Sequence, residues 1–178
     1  MTEASNQKQS QDNLHLGICE SGKILHIAGR FDEALEKYRN AMMMSASQRA
    51  PQVFARHYVD CILDCLQHAK RFDVAIELLD QAISNKGGES PVVIAPFQFR
   101  KLIILCQLGQ HQEALILVSE LDSTMYADSA LYLALKQALV RRQSMPERWL
   151  DQILNHHKFY TVRKDNVDKK RAQIGQKH

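Results

Sequence analysis

Apolar residues recur at three- and four-residue spacing along most of the chain, which predicts amphipathic helices in place of strands. The pattern comes in pairs. Ile18, Gly22 and Leu25 define one helix, Val59, Ile62, Leu63 and Leu66 a second, and Leu102 with Leu105 a third. Each ends at a turn residue (Gly29, Lys70 or Gly109) and a new pattern begins within two positions. The segments Gly29–Ala41, Lys70–Ala82 and Gly109–Leu121 align: a turn residue, a ring, a polar stretch, then Ala-aliphatic and a large apolar residue four past the Ala. The small residue (Ala34, Ala75, Ala114) admits a neighbouring helix closely. The large one (Tyr38, Leu79, Val118) lies a turn further on the same face and fills the gap. A short turn between two such helices makes an antiparallel hairpin.

A fourth pair is expected without this signature. Asp128 is placed to cap a helix over residues 129–142, and Ser144-Met-Pro-Glu147 reads as a capping box opening a helix to about His156. That last helix offers Trp149, Leu150, Ile153 and Leu154 on one side, as a terminal cap on a helical array would. Seven Gly and four Pro are too few for a sandwich or barrel, which needs turn residues every 8–12 positions. The fold class expected is therefore all-α. Residues 1–12 are polar, lack the apolar stretch of a signal peptide and are expected as a disordered arm. Residues 13–157 form the helical domain, and 158–178 a basic tail.

The paired pattern resembles the tetratricopeptide repeat. Gly22, Leu25, Ala34, Tyr38 and Ala41 stand at its signature spacings; the second unit keeps Leu66, Ala75, Leu79 and Ala82, and the third Leu105, Ala114 and Val118. The chain departs from the family in two ways. Leu63 and Leu102 replace the small Gly of the first helix, and the repeats are 41 and 39 residues long against about 34. The loop around Gly87-Gly88-Glu89-Ser90-Pro91 is one place for the added length. The resemblance implies a right-handed superhelical stack of antiparallel hairpins whose concave groove binds a protein or peptide. The inward positions would be Cys19, Lys23, His26, Asp60, Asp64, Phe99, Arg100 and Ile103. Tetratricopeptide domains that clamp the C-terminal carboxylate of heat-shock chaperones use Lys and Asn at two inward positions. Cys19 and Lys23 stand there here, so that partner is not expected.

Candidate chemistry is sparse. His57, Cys61, Cys65 and His68 stripe one helix, and imidazole and thiolate are good zinc ligands. The stripe runs about 16 Å, so one ion would reach only part of it, and the sequence does not reveal a further ligand on another helix. Packing cysteines flanked by histidines at the solvent edge is the expectation, with no metal and no cofactor. All four cysteines (Cys19, Cys61, Cys65, Cys106) fall in helical segments, as reduced buried thiols do, which agrees with a cytoplasmic protein. No phosphate-cradling glycine loop, H-E-x-x-H or G-x-S-x-G motif is present, so no enzyme is expected. No apolar run approaches the ~20 residues that span a bilayer.

Charge is unevenly distributed. The 158–178 segment holds seven Lys or Arg against two Asp, giving +5, and the +3 total leaves −2 for the rest. Arg163, Lys164, Lys169, Lys170 and Arg171, with Phe159 and Tyr160 nearby, are compatible with phosphate contacts and base stacking. They suit an acidic protein equally. The leading expectation is a non-catalytic interaction scaffold or adaptor that binds a partner segment in its groove. The alternatives are a small secretion-type tetratricopeptide chaperone, an architectural subunit of a larger assembly, and nucleic-acid binding through the tail.

Overall fold

The computed structural model describes residues 14–85 and 91–175. Among these residues it is all-helical, with no strand. The elements are α1 (Leu14–Ile27), α2 (Phe31–Ser47), α3 (Gln52–His68), α4 (Phe72–Asn85), α5 (Pro91–Leu108), α6 (His111–Leu121), α7 (Ala130–Val140), α8 (Glu147–His156), a 3-10 turn (Lys164–Asn166) and α9 (Lys169–Gly175). No helix among the described residues is long and apolar enough to cross a membrane. The expected N-terminal arm and the centre of the Gly87–Pro91 loop lie outside the described residues.

The three aligned turns share one backbone device. Gly29, Lys70 and Gly109 all adopt left-handed φ angles, of 77°, 58° and 71°. Their N–H groups bond back to the carbonyls of His26, Gln67 and Cys106, satisfying helix-end acceptors. Glycine enters this region freely; a lysine does so against the clash of its Cβ.

The described residues fall into two compact units. The first is built from the segments Met1–Lys70 and Tyr160–His178. Its centre is the α1–α2 hairpin, extended by α3 against α2 and by α9 against α1. Ala34, Tyr38 and Ala41 of α2 are fully buried. A Cβ at Gly22 would stand 2.8 Å from the Tyr38 ring, so the glycine is what lets α1 lie on that tyrosine. The second unit runs from Arg71 to Phe159. In it α5 packs against both α4 and α6, and α7 against α6. Ala75, Leu79, Ala114 and Leu121 are fully buried there. The Tyr132 hydroxyl reaches the Val118 carbonyl at 2.8 Å and Asp122 at 2.7 Å, tying α7 to the end of α6.

The boundaries of the fourth pair differ from those expected. Helix α7 starts after Ser129 and α8 after Pro146, and neither has a side-chain cap. Pro146 is extended, and its carbonyl accepts from Trp149 and Leu150, so main chain does what the Ser144–Glu147 capping box was expected to do. Leu150 and Leu154 are buried, while Trp149 and Ile153 are half-buried.

The C-terminal region also differs. Expected as a separate tail from residue 158, it joins the first unit from Tyr160 onward, with Tyr160, Val162 and Ala172 buried. An apolar pair at alternate positions and a small residue on a short helix supply enough surface to dock a segment that composition alone marks as basic and solvated.

Candidate functional site

In the first unit, the helix face formed by α1 and α3 holds residues 160–175 of the same chain. The Tyr160 ring lies tilted against His68, with centroids 4.3 Å apart. Two residues on, the Val162 N–H donates to Oδ2 of Asp64 at 2.8 Å. The segment then turns through the 3-10 element, where the Asn166 side chain accepts from the Arg163 N–H at 3.1 Å and donates to the Thr161 carbonyl at 2.6 Å. The Asp168 N–H donates to Oε2 of Glu20 at 2.9 Å, just before α9 begins. Oε1 of that carboxylate takes Lys23 Nζ at 2.8 Å.

Close packing of small residues completes the docking. A Cβ on Gly175 would lie 2.2 Å from the carbonyl carbon and oxygen of Gly17, and one on Gly17 would lie 2.9 Å from the Arg171 carbonyl oxygen. Helices approach this closely only where side chains are absent at the crossing. Lys37 on α2 adds a bond to the Gly175 carbonyl at 3.4 Å. Two carboxylates thus read main-chain N–H groups, and two glycines set the helix seat.

Beside Tyr160 lies a histidine pair. His26 Nε2 is 2.8 Å from His68 Nδ1, and His26 Nδ1 is 3.2 Å from the Tyr38 hydroxyl. Burial, reinforced by the charge His68 would carry, lowers the His26 pKa to about 4. At neutral pH His26 is therefore an uncharged imidazole that relays hydrogen bonds from α2 towards α3.

The eight inward positions expected from the repeat resemblance are not an open lining. Cys19, Lys23, His26 and Asp64 are buried, and Asp60 is half-buried and paired with Arg56 at 3.2 Å. The docked segment engages Asp64 directly and Lys23 through Glu20, while Cys19 faces His57 and Cys61 and His26 meets Tyr38 and His68. In the second unit Phe99, Arg100 and Ile103 are buried as well. Phe99 stacks on Tyr126 at 4.4 Å and meets Phe159 edge-on, while the Arg100 guanidinium lies 4.7 Å over the Phe159 ring. Phe99 and Arg100 serve an aromatic cluster inside their own unit.

Among the basic tail residues, Arg163 bonds the Tyr160 carbonyl and Asp165, and Arg171 pairs with Asp168. Lys164, Lys169 and Lys170 are exposed.

The stripe on α3 is divided among several neighbours. Cys65 donates to the Phe31 carbonyl at 3.5 Å, His68 meets His26, and His57 and Cys61 face Cys19 of α1. None of the four cysteines is in a disulfide. Glu20, Gly17 and Gly175 were not singled out in the sequence. The Tyr160-x-Val162 alternation was the available signal for the extended segment, and the Ala172-x-x-Gly175 spacing for the face of α9.

Comparison with protein families, curated proteins and solved structures gives no match to the chain.

Proposed function

We propose that the chain is a divergent tetratricopeptide-like repeat protein and a non-catalytic, cytoplasmic interaction scaffold. In this reading its hairpins stack as a right-handed superhelix, and its α1–α3 face receives an extended segment of a partner protein. One observation carries the reading. That face already accommodates a peptide segment, residues 160–168 with its 3-10 turn at Lys164–Asn166, through carboxylates that accept backbone N–H groups from Val162 and Asp168. Main-chain recognition of this kind supplies affinity with modest demands on sequence.

The bound segment also indicates what a partner would offer. It presents an aromatic residue, a β-branched residue two positions later and a basic flank. The chain's own segment competes with such a partner at a high effective concentration, on the order of mM for a short flexible connection. Binding is then a displacement, and the face is shielded when no partner is present.

The reading is tested by capturing partners from the native cell with three tagged full-length chains: wild type, Gly175→Leu and Asp64→Ala. Gly175→Leu unseats α9 and leaves the acceptor carboxylates in place, whereas Asp64→Ala removes one of them. A stoichiometric protein enriched by the first variant and lost with the second supports the proposal. Capture indifferent to both substitutions overturns it.

A further inference from the structure

Helices α1 and α3 carry the same spacing twice, a histidine one turn before a cysteine: His15 with Cys19, and His57 with Cys61. The four side chains have different fates. His15 Nδ1 is hydrogen-bonded to the Tyr58 hydroxyl, which holds that ring in the core. The other three converge. One ligand atom each from Cys19, His57 and Cys61 lie within 4.8 Å of one another, with the Cys61 sulfur 3.7 Å from His57 Nε2.

This meeting is unlike the setting of the other two cysteines. Cys65 spends its thiol on a backbone carbonyl, and Cys106 sits in the second unit, where burial pushes its thiol up to about 12. Cys19 and Cys61 are almost wholly buried, at 1% and 0% exposure, while His57 is half-buried. An ion would enter past the imidazole.

We propose that Cys19, His57 and Cys61 form a binding site for a thiophilic d10 cation, zinc(II), which ties α1 to α3. Zinc takes thiolate sulfur at about 2.3 Å and imidazole nitrogen at about 2.0–2.1 Å, so donors on one tetrahedron sit roughly 3.4–3.8 Å apart. The observed cluster, within 4.8 Å, reaches that spacing by a contraction of at most about 1.4 Å, within side-chain rotation. Two sulfurs and one imidazole exclude magnesium and calcium, which demand oxygen ligands. The neighbouring carboxylate, Glu20, is engaged by Lys23 and the Asp168 N–H. Three protein donors leave the fourth position to water. Binding releases the two thiol protons to the buffer, so affinity falls as pH is lowered.

The test uses the full chain, reduced and stripped with a chelator, titrated with cobalt(II) and then zinc(II). The expected result is one equivalent of cobalt with a thiolate-to-cobalt charge-transfer band and the visible bands of a tetrahedral ion. Zinc bleaches both and raises the thermal midpoint. Cys61→Ser cuts the charge-transfer band by half or more, and Cys106→Ser leaves it intact. His57→Ala, at a half-buried position, weakens binding by about a hundredfold or more, beyond the usual effect of a residue outside the ligand set. No charge-transfer band on the wild type, or a titration unchanged by His57→Ala, overturns the site.

Discussion

Asp64, fully buried on α3, accepts the backbone N–H of Val162 at 2.8 Å across 98 residues of sequence. A buried carboxylate is costly unless its oxygens are satisfied, so this bond binds the C-terminal segment to the core of the first unit. Asp64→Ala is expected to cost about 1.5–3 kcal/mol, the range for a hydrogen bond to a charged group. Hydrogen exchange reads it locally. The Val162 amide should lose protection in the variant far more than amides in the middle of α2, and equal loss at both would show that the bond is not specific to the segment.

Gly22 and Tyr38 make a packing prediction. A Cβ at Gly22 comes within 2.8 Å of a ring that is itself fully buried, so neither partner has room to give. Gly22→Val should destabilise the first unit by about 1–3 kcal/mol through overpacking. Chemical denaturation measures this, and Gly29→Val, which meets no atom within 4 Å, separates overpacking from backbone strain.

Lys70 occupies the left-handed turn position that Gly29 and Gly109 fill in the other two segments. Lys70→Gly should raise stability by roughly 0.5–1 kcal/mol, because the steric cost of the left-handed region exceeds the extra entropy glycine loses. Gly109→Ala should lower it by a similar amount. A thermal midpoint that moves the same way in both would contradict the turn geometry.

The His26 site gives a pH dependence. Its folded pKa is about 4 against 6.5 for an unperturbed histidine, so between these values the unfolded chain binds the proton more readily. Its contribution is present in full above about pH 6.5 and is lost as pH falls towards 4, to a limit of roughly 3 kcal/mol. The groups around it are Tyr38, His68 and the Phe31 ring, so no neighbouring carboxylate among these stabilises the charged form. Denaturation curves at pH 7 and pH 4.5 should differ by less in His26→Gln than in wild type. An unchanged difference would contradict the assignment.

Much of the helical framework was legible in the sequence because it is local. The three- and four-residue periodicity marked the helices, and the Gly29, Lys70 and Gly109 turns all lie where the aligned segments put them. Ala34, Tyr38, Ala75, Leu79 and Ala114 are buried as that alignment required. The site was less legible, since it depends on contacts between segments about 100 or more residues apart. Nothing in the charges of residues 158–178 indicates that Val162 and Asp168 offer main-chain donors to Asp64 and Glu20. The α3 stripe likewise gave no sign that Cys19, on another helix, would meet His57 and Cys61. Capping differed at Pro146 because main-chain bonds satisfied the helix start without the predicted side chains.

The most direct test of the interaction surface is binding in trans. A fluorescent peptide with the sequence of residues 159–175 is titrated against full-length wild type, Gly175→Leu, and Gly175→Leu combined with Asp64→Ala. Displacement predicts weak binding to wild type, whose own segment competes, clear saturable binding to Gly175→Leu, and loss of that binding in the double variant. A Gly175→Leu chain that stays helical and binds no peptide, or binds it equally well without Asp64, would contradict a peptide-receiving face on α1 and α3.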